Sequence, residues 1–206
     1  MCSRQSLAEE GEVAIRCPNG KCLGQRVRKI QYFASKHAMD IEHLGEKVVE
    51  MLVEKGLVSR VSDLYLLNEK DLASLEGFKE KSIRNLLDSI NASRNCSLAR
   101  FIMGLGIKYV GAETAELLAE HAGDLAVLTQ MKEDDFVAIE GIGVKTAQAI
   151  AAYFQDMDHL EEIRLLLAHG VKPQQEKKKK IAGHKFEGKT FVLTGTLPSY
   201  SRDEAA

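Results

Sequence analysis

Two kinds of residue in this 206-residue chain have the type and spacing for chemistry beyond packing. The first are cysteines. Cys17 and Cys22 enclose the knuckle CPNGKC, and Cys2 lies fifteen residues before Cys17. Two cysteines flanking a knuckle, with another pair about fifteen residues away, have the spacing of a four-thiolate zinc site. Three of the four ligands are at hand here, and one three positions before Cys2 would precede Met1. The alternative is a surface loop with unrelated thiols. The second kind are the glycines of IEGIGVKTAQAI, residues 139–150. Gly141 and Gly143 bracket Ile142, and Ala147, Ile150 and Ala151 then fall on one helical face. Glycine permits positive φ and close backbone approach. A turn that feeds straight into a helix leaves several N–H groups unpaired at the helix start. Such a nest of amides binds an anion such as a backbone phosphate. Lys145 would add a charge-assisted contact.

The elements that must position this turn recur along the chain. Aligned on Gly143, three further copies place Gly45, Lys79 and Gly111 in its column, at spacings of 34, 32 and 32 residues. Four positions earlier stand Ile41, Leu75, Ile107 and Ile139, and one position earlier Leu44, Phe78, Val110 and Ile142. Four positions later stand Val49, Ile83, Ala115 and Ala147, and two positions later Lys47, Lys81, Glu113 and Lys145. The first-glycine column is looser: His43, Gly77, Tyr109 and Gly141. Copies two and four also share their lead-in, LNEKDLASLEGF against MKEDDFVAIEGI. Fixed-period similarity is the signature of a repeated structural unit. Copies one and two read as one unit, and copies three and four as its duplicate. Residues 41–171 read as helical throughout, without strand signals. The helix 45–56 carries Val48, Val49, Leu52 and Val53 on one face and stops at Gly56.

Charge divides the chain. Residues 1–36 hold 7 basic and 3 acidic residues, 37–171 hold 13 and 23, and 172–206 hold 8 and 4. A negative centre argues against a broad electrostatic footprint for nucleic acid. Contact there must be local, through turn amides and adjacent lysines. No apolar run approaches the roughly 18 residues of a membrane span. The N-terminus lacks the apolar core of a signal peptide, so an intracellular protein with reduced cysteines is expected.

The flanks differ from the centre. Residues 1–36 read as a small metal-dependent module in which EVAIRC alternates like a strand and Asn19–Gly20 suits a turn. Arg26, Arg28 and Lys29 follow beside Tyr32 and Phe33. They suit phosphate contact, or equally the solvated face of a connecting helix. Residues 172–188 read as a basic linker with four successive lysines. From 189, KTFVLTG is a β-rich strand, and Ser201-Arg-Asp-Glu204 is a capping box for a helix start.

In this order, EGEVAIRC…C, FASKHAMDI with HLGEK, SLARFIMGLGIKYVGAETAELLA, EGIGVKTA and FEGKTFVLTGTL…SRDEA resemble the C-terminal portion of the bacterial NAD-dependent DNA ligases over all 206 residues. The resemblance implies a mainly α fold. Its parts are a zinc finger (1–36) lacking its first ligand, four tandem helix-hairpin-helix motifs in one domain (37–171), the linker (172–188), and a truncated α/β BRCT stub (189–206). It implies Cys2, Cys17 and Cys22 as zinc ligands. It implies DNA contact at Gly45, Lys47, Gly77, Lys79, Lys81, Gly111, Gly141, Gly143 and Lys145, strongest in copy four, where both glycines are present. It implies duplex DNA, nicked in the parent, as partner, and a monomeric, cytoplasmic, nucleoid-associated protein. In the parent, NAD adenylates a lysine with magnesium present, AMP passes to the 5′-phosphate of a nick, and the 3′-hydroxyl attacks. The KxDG-type lysine motif is absent, so no catalytic residue is expected in this chain. Tandem hairpins would also suit the scaffold of a repair nuclease or junction-binding complex, and the acidic centre would suit a helical protein-interaction module.

Overall fold

The computed structural model of the chain describes residues 7–8, 15–16 and 22–175. Cys2, Cys17, the Asn19–Gly20 turn, residues 176–188 of the expected linker and the expected stub 189–206 lie outside the described residues. Apolar residues three and four apart give each helix one face to bury. The order is β1 (Leu7–Ala8), β2 (Ile15–Arg16), α1 (Leu23–Ala34), α2 (Glu46–Glu54), a 3-10 segment (Val61–Leu66), α3 (Glu69–Ala73), α4 (Glu80–Ser93) and β3 (Asn95–Ser97). There follow α5 (Leu98–Leu105), α6 (Ala112–Ala122), α7 (Leu125–Leu128), α8 (Glu133–Val137), α9 (Val144–Gln155), α10 (Met157–Ala168) and β4 (Lys172–Gln174). The chain is mainly helical, and no helix among the described residues is long and apolar enough to cross a membrane.

One core runs through the helices. Phe33, Leu52, Leu64, Leu72, Leu86, Phe101, Leu118, Leu128 and Phe136 are all fully buried within it. Gly56 ends α2 in the left-handed conformation, with φ +70, as its position after the last apolar residue predicts. The helix α1 is part of this core, burying Ile30, Phe33 and Ala34. Phe33 is therefore a packing residue, set edge-on to Tyr65 at 6.4 Å between ring centroids.

Strands depart from the sequence expectation. β2 falls within EVAIRC, the stretch read as a strand, and pairs antiparallel with β1, Leu7 opposite Arg16, which was not read as one. β3 lies in the stretch read as wholly helical, and it pairs parallel with β4, where the linker was expected to begin. Three residues are too few to show a period-2 pattern, and the partner lies far along the chain. The pairing is anchored where Lys172 N–H donates to the Arg94 carbonyl at 2.7 Å.

The first and last parts of the helical unit are tied by buried polar contacts. Glu162 on α10 is only 6% exposed and accepts the Ser62 N–H at 2.7 Å. Arg94 donates to the carbonyls of Tyr65 and His169 and lies over the Tyr65 ring, 5.0 Å from its centroid. A buried carboxylate costs several kcal/mol unless it is hydrogen-bonded, so Glu162 marks where the 3-10 segment must dock.

Candidate nucleic-acid interface

The four repeat copies adopt one backbone pattern. The first-glycine column, loose in sequence, is uniform in conformation: His43, Gly77, Tyr109 and Gly141 have φ of 64, 81, 68 and 91°. The next column but one is extended in all four, and Gly45, Lys79, Gly111 and Gly143 are the N-caps of α2, α4, α6 and α9. Between them Phe78, Val110 and Ile142 donate their N–H to the carbonyls of Leu75, Ile107 and Ile139 at 3.3, 3.1 and 3.1 Å, closing the turns. The apolar columns explain why the turns form. Ile41, Leu75, Ile107 and Ile139 enter the core before the turn, and Leu44, Val110 and Ile142 enter it after, while Phe78 is partly buried. Lys79, which departs from glycine, is compatible because its φ of −119° is ordinary for any residue.

These four helices, like α1 and α8, start without a side-chain cap, unlike four of their neighbours. None of α2, α4, α6 and α9 has a side chain bonded to its first-turn amides. The neighbours α3, α5, α7 and α10 are capped by Asn68, Ser97, Asp124 and Asp156. Unpaired first-turn N–H groups at an exposed helix start carry partial positive charge that suits an anion. The four are not electrically equal. Glu46, Glu80 and Glu113 sit in the first turns of α2, α4 and α6, whereas α9 has no acidic residue there. Lys47, Lys81 and Lys145 are exposed at the tips, as are Lys79, Gly45, Gly77, Gly111, Gly141 and Gly143. Hairpin four thus offers the least repulsive site to a phosphate.

The hairpins sit in two pairs. His43 of the first turn and Gly77 and Phe78 of the second line one cavity of about 270 Å³. In the later pair, Gly141 abuts Leu117 on α6. Sequence reading placed His43 and Tyr109 in the repeat but not among the site residues. Both are exposed non-glycine residues held at positive φ, and Tyr109 is 53% exposed with the Lys108 ammonium 5.2 Å from its ring centroid. Their column was the available signal, since every copy needs the same turn.

Of the three candidate metal ligands, Cys22 alone lies among the described residues. It is a free, half-buried thiol at the N-cap of α1. Among the described residues no three His, Cys, Asp or Glu side chains converge as a metal site. Cys96 is a free, half-buried thiol on β3 that packs against the core.

Comparison with known proteins follows the same division into pairs. A family model described as a SAM-like helix-hairpin-helix tandem matches residues 35–92, which hold copies one and two. A helix-hairpin-helix motif model matches residues 100–163, which hold copies three and four. The chain is 48% identical over 206 residues to a DNA ligase of Protochlamydia amoebophila, covering all of this chain and 31% of the relative. It is 47% identical over 199 residues to a DNA ligase of a Roseiflexus species, covering 96% of this chain and 27% of the relative. It is 42% identical over 207 residues to a DNA ligase of Acetivibrio thermocellus, covering all of this chain and 31% of the relative. The chain therefore spans under a third of the length of the curated relatives it matches.

Proposed function

We infer that this chain, homologous along its whole length to DNA ligases, is the segment of such an enzyme that grips duplex DNA through its backbone phosphates. The carrying observation is the set of four left-handed turns, each leading into a helix whose first-turn amides no side chain caps. Phosphate contacts fix position and carry no sequence information, and the minor groove reads bases poorly, so the grip is sequence-independent. The acidic balance of residues 37–171 disfavours broad contact by the repeats and leaves their hairpin tips, with Lys47, Lys81 and Lys145 beside them, to meet the phosphates. In the parent enzyme this grip presents a nick to the catalytic part for sealing in replication and repair.

The parent reads as the NAD-dependent bacterial type, cytoplasmic and nucleoid-associated. NAD and magnesium serve chemistry for which these residues supply no lysine motif, so the chain alone is expected to be inactive and monomeric. Zinc would be held by Cys2, Cys17 and Cys22, and a BRCT segment would follow the linker. Binding of duplexes of unrelated sequence, followed by fluorescence anisotropy across a salt series, tests the DNA reading. It predicts equal affinities that fall with salt. Strong preference for one sequence would sink it.

A further inference from the structure

The 37–171 region carries excess negative charge, yet one concave surface of the molecule is cationic. A groove of about 870 Å³ runs between α1, the end of α5, the third hairpin and α9. Arg26, Arg28 and Lys29 line it from α1, and Lys108 lines it from the third turn, some eighty residues later in the chain. None of the three α1 cations forms an ion pair among the described residues. One acidic group, Asp156, lines the groove, and Lys29 adds a favourable charge to it beyond its local hydrogen bonds. Asp156 caps α10 by accepting the N–H groups of Asp158 and His159 at 2.8 and 3.3 Å. These bonds, the His159 one foremost, hold its carboxyl below the ordinary aspartate range. Part of the groove wall is made by the Tyr153 and His159 rings, stacked at 3.9 Å and 9°.

Third-hairpin geometry explains why cations there would matter. Its helix α6 opens with Glu113 in the first turn, where the three other copies carry Lys47, Lys81 and Lys145, and Glu116 and Glu120 follow along the same helix. Alone it is the poorest of the four hairpins for a phosphate. Across the groove from the third turn, α1 supplies positive charge that the first turn of α6 does not. The site is also connected to the best hairpin. α9 begins at the fourth turn, and its Ala149 and Ala152 line the groove. At 1.5 Å rise per residue these lie roughly 9–14 Å along the helix from Gly143. On B-DNA that is about three to four phosphates of one strand.

We propose that this groove is a second backbone-phosphate site, lined by Arg26, Arg28, Lys29 and Lys108 and filled by the same duplex that engages the fourth hairpin. The proposal rests on the DNA-gripping reading above. Its test is duplex binding by the full chain between 50 and 200 mM salt, comparing wild type, the double variant Arg28→Gln/Lys29→Gln and the hairpin variant Gly143→Val. Arg28 and Lys29 are exposed and make no ion pair, so thermal melting of the double variant should match wild type. The expected result is about 10-fold weaker binding by the double variant, with the salt slope reduced by about one to two phosphates. The charge-conserving Arg28→Lys/Lys29→Arg variant should restore both. Unchanged affinity and slope in the double variant, with binding lost in Gly143→Val, would overturn the groove and leave the DNA reading standing. No DNA binding by wild type, or none of the variants altering it, would overturn both. Loss of affinity that the charge-conserving variant fails to restore would also overturn the groove as a phosphate site.

Discussion

Gly141 is pressed against Leu117: a Cβ added to Gly141, at φ +91°, would lie 3.1 Å from Leu117 Cδ1. This contact seats the fourth hairpin on the helix of the third. Gly143, two residues on, has extended φ and nothing within 4 Å of an added Cβ. The two glycines therefore serve different ends. Gly141→Ala should cost about 2–3 kcal/mol, from left-handed strain and displacement of Leu117. Gly143→Ala should cost under about 1 kcal/mol. Denaturant unfolding of each variant checks this. Adding Leu117→Ala to Gly141→Ala should cost less than the sum of the two alone, because the pair shares one contact.

Tyr109 occupies the same left-handed position at φ 68° with a full side chain. Asparagine tolerates that conformation and a β-branched residue does not. Tyr109→Asn should therefore be more stable than Tyr109→Val by about 1 kcal/mol. Equal stabilities of the two variants would show that the turn relaxes out of the left-handed region.

Glu162 accepts the Ser62 N–H inside the fold. Glu162→Ala leaves that amide buried without its partner and should cost about 1–3 kcal/mol. Glu162→Gln keeps an acceptor oxygen and should recover much of the loss. The same unfolding measurement on both variants decides it, and equal losses would deny the hydrogen bond its role.

Burial raises four weakly acidic groups, Tyr32 among them. The Cys96 thiol moves from 9.0 to about 11, and the Tyr65 hydroxyl from 10.0 to about 12, chiefly by desolvation. The Tyr153 hydroxyl is raised further by the same cause. The folded chain thus keeps protons that the unfolded chain releases above pH 9. With more protons bound when folded, stability must fall as pH rises from about 9 to 12. Chemical unfolding at pH 8 and pH 10.5 should show a lower midpoint at the higher pH. Alkylation of Cys96 should be slow at pH 8, since the thiolate is the nucleophile.

The repeat was legible because each copy needs the same apolar contacts. The columns at Ile139, Ile142 and Ala147 mark core positions, and core positions constrain residue type. The turn conformation was only half legible. His43 and Tyr109 obscured the glycine column, yet their backbones follow Gly77 and Gly141, held by the buried residues on either side. Helix existence was read well, including α2 and α9, but the 3-10 segment and α7 are too short to show a helical period. β3 and β4 were illegible for a related reason, since a three-residue parallel pair depends on a partner remote in sequence. The Arg26, Arg28 and Lys29 cluster was legible as a candidate phosphate contact, whereas Lys108 joins it in one groove only through the packing of α1 on α5.

The central claim is that amides and a lysine at the fourth hairpin hold DNA by its phosphates. The most direct measurement is the salt dependence of duplex binding for wild type, Lys145→Gln and Gly143→Val. The account predicts that Lys145→Gln lowers the slope by about one phosphate. It predicts that Gly143→Val, whose Cβ would meet nothing within 4 Å, weakens binding at least about tenfold through the loss of close amide approach. Both effects should be the same on every duplex sequence. Undiminished binding and an unchanged slope in both variants would contradict it.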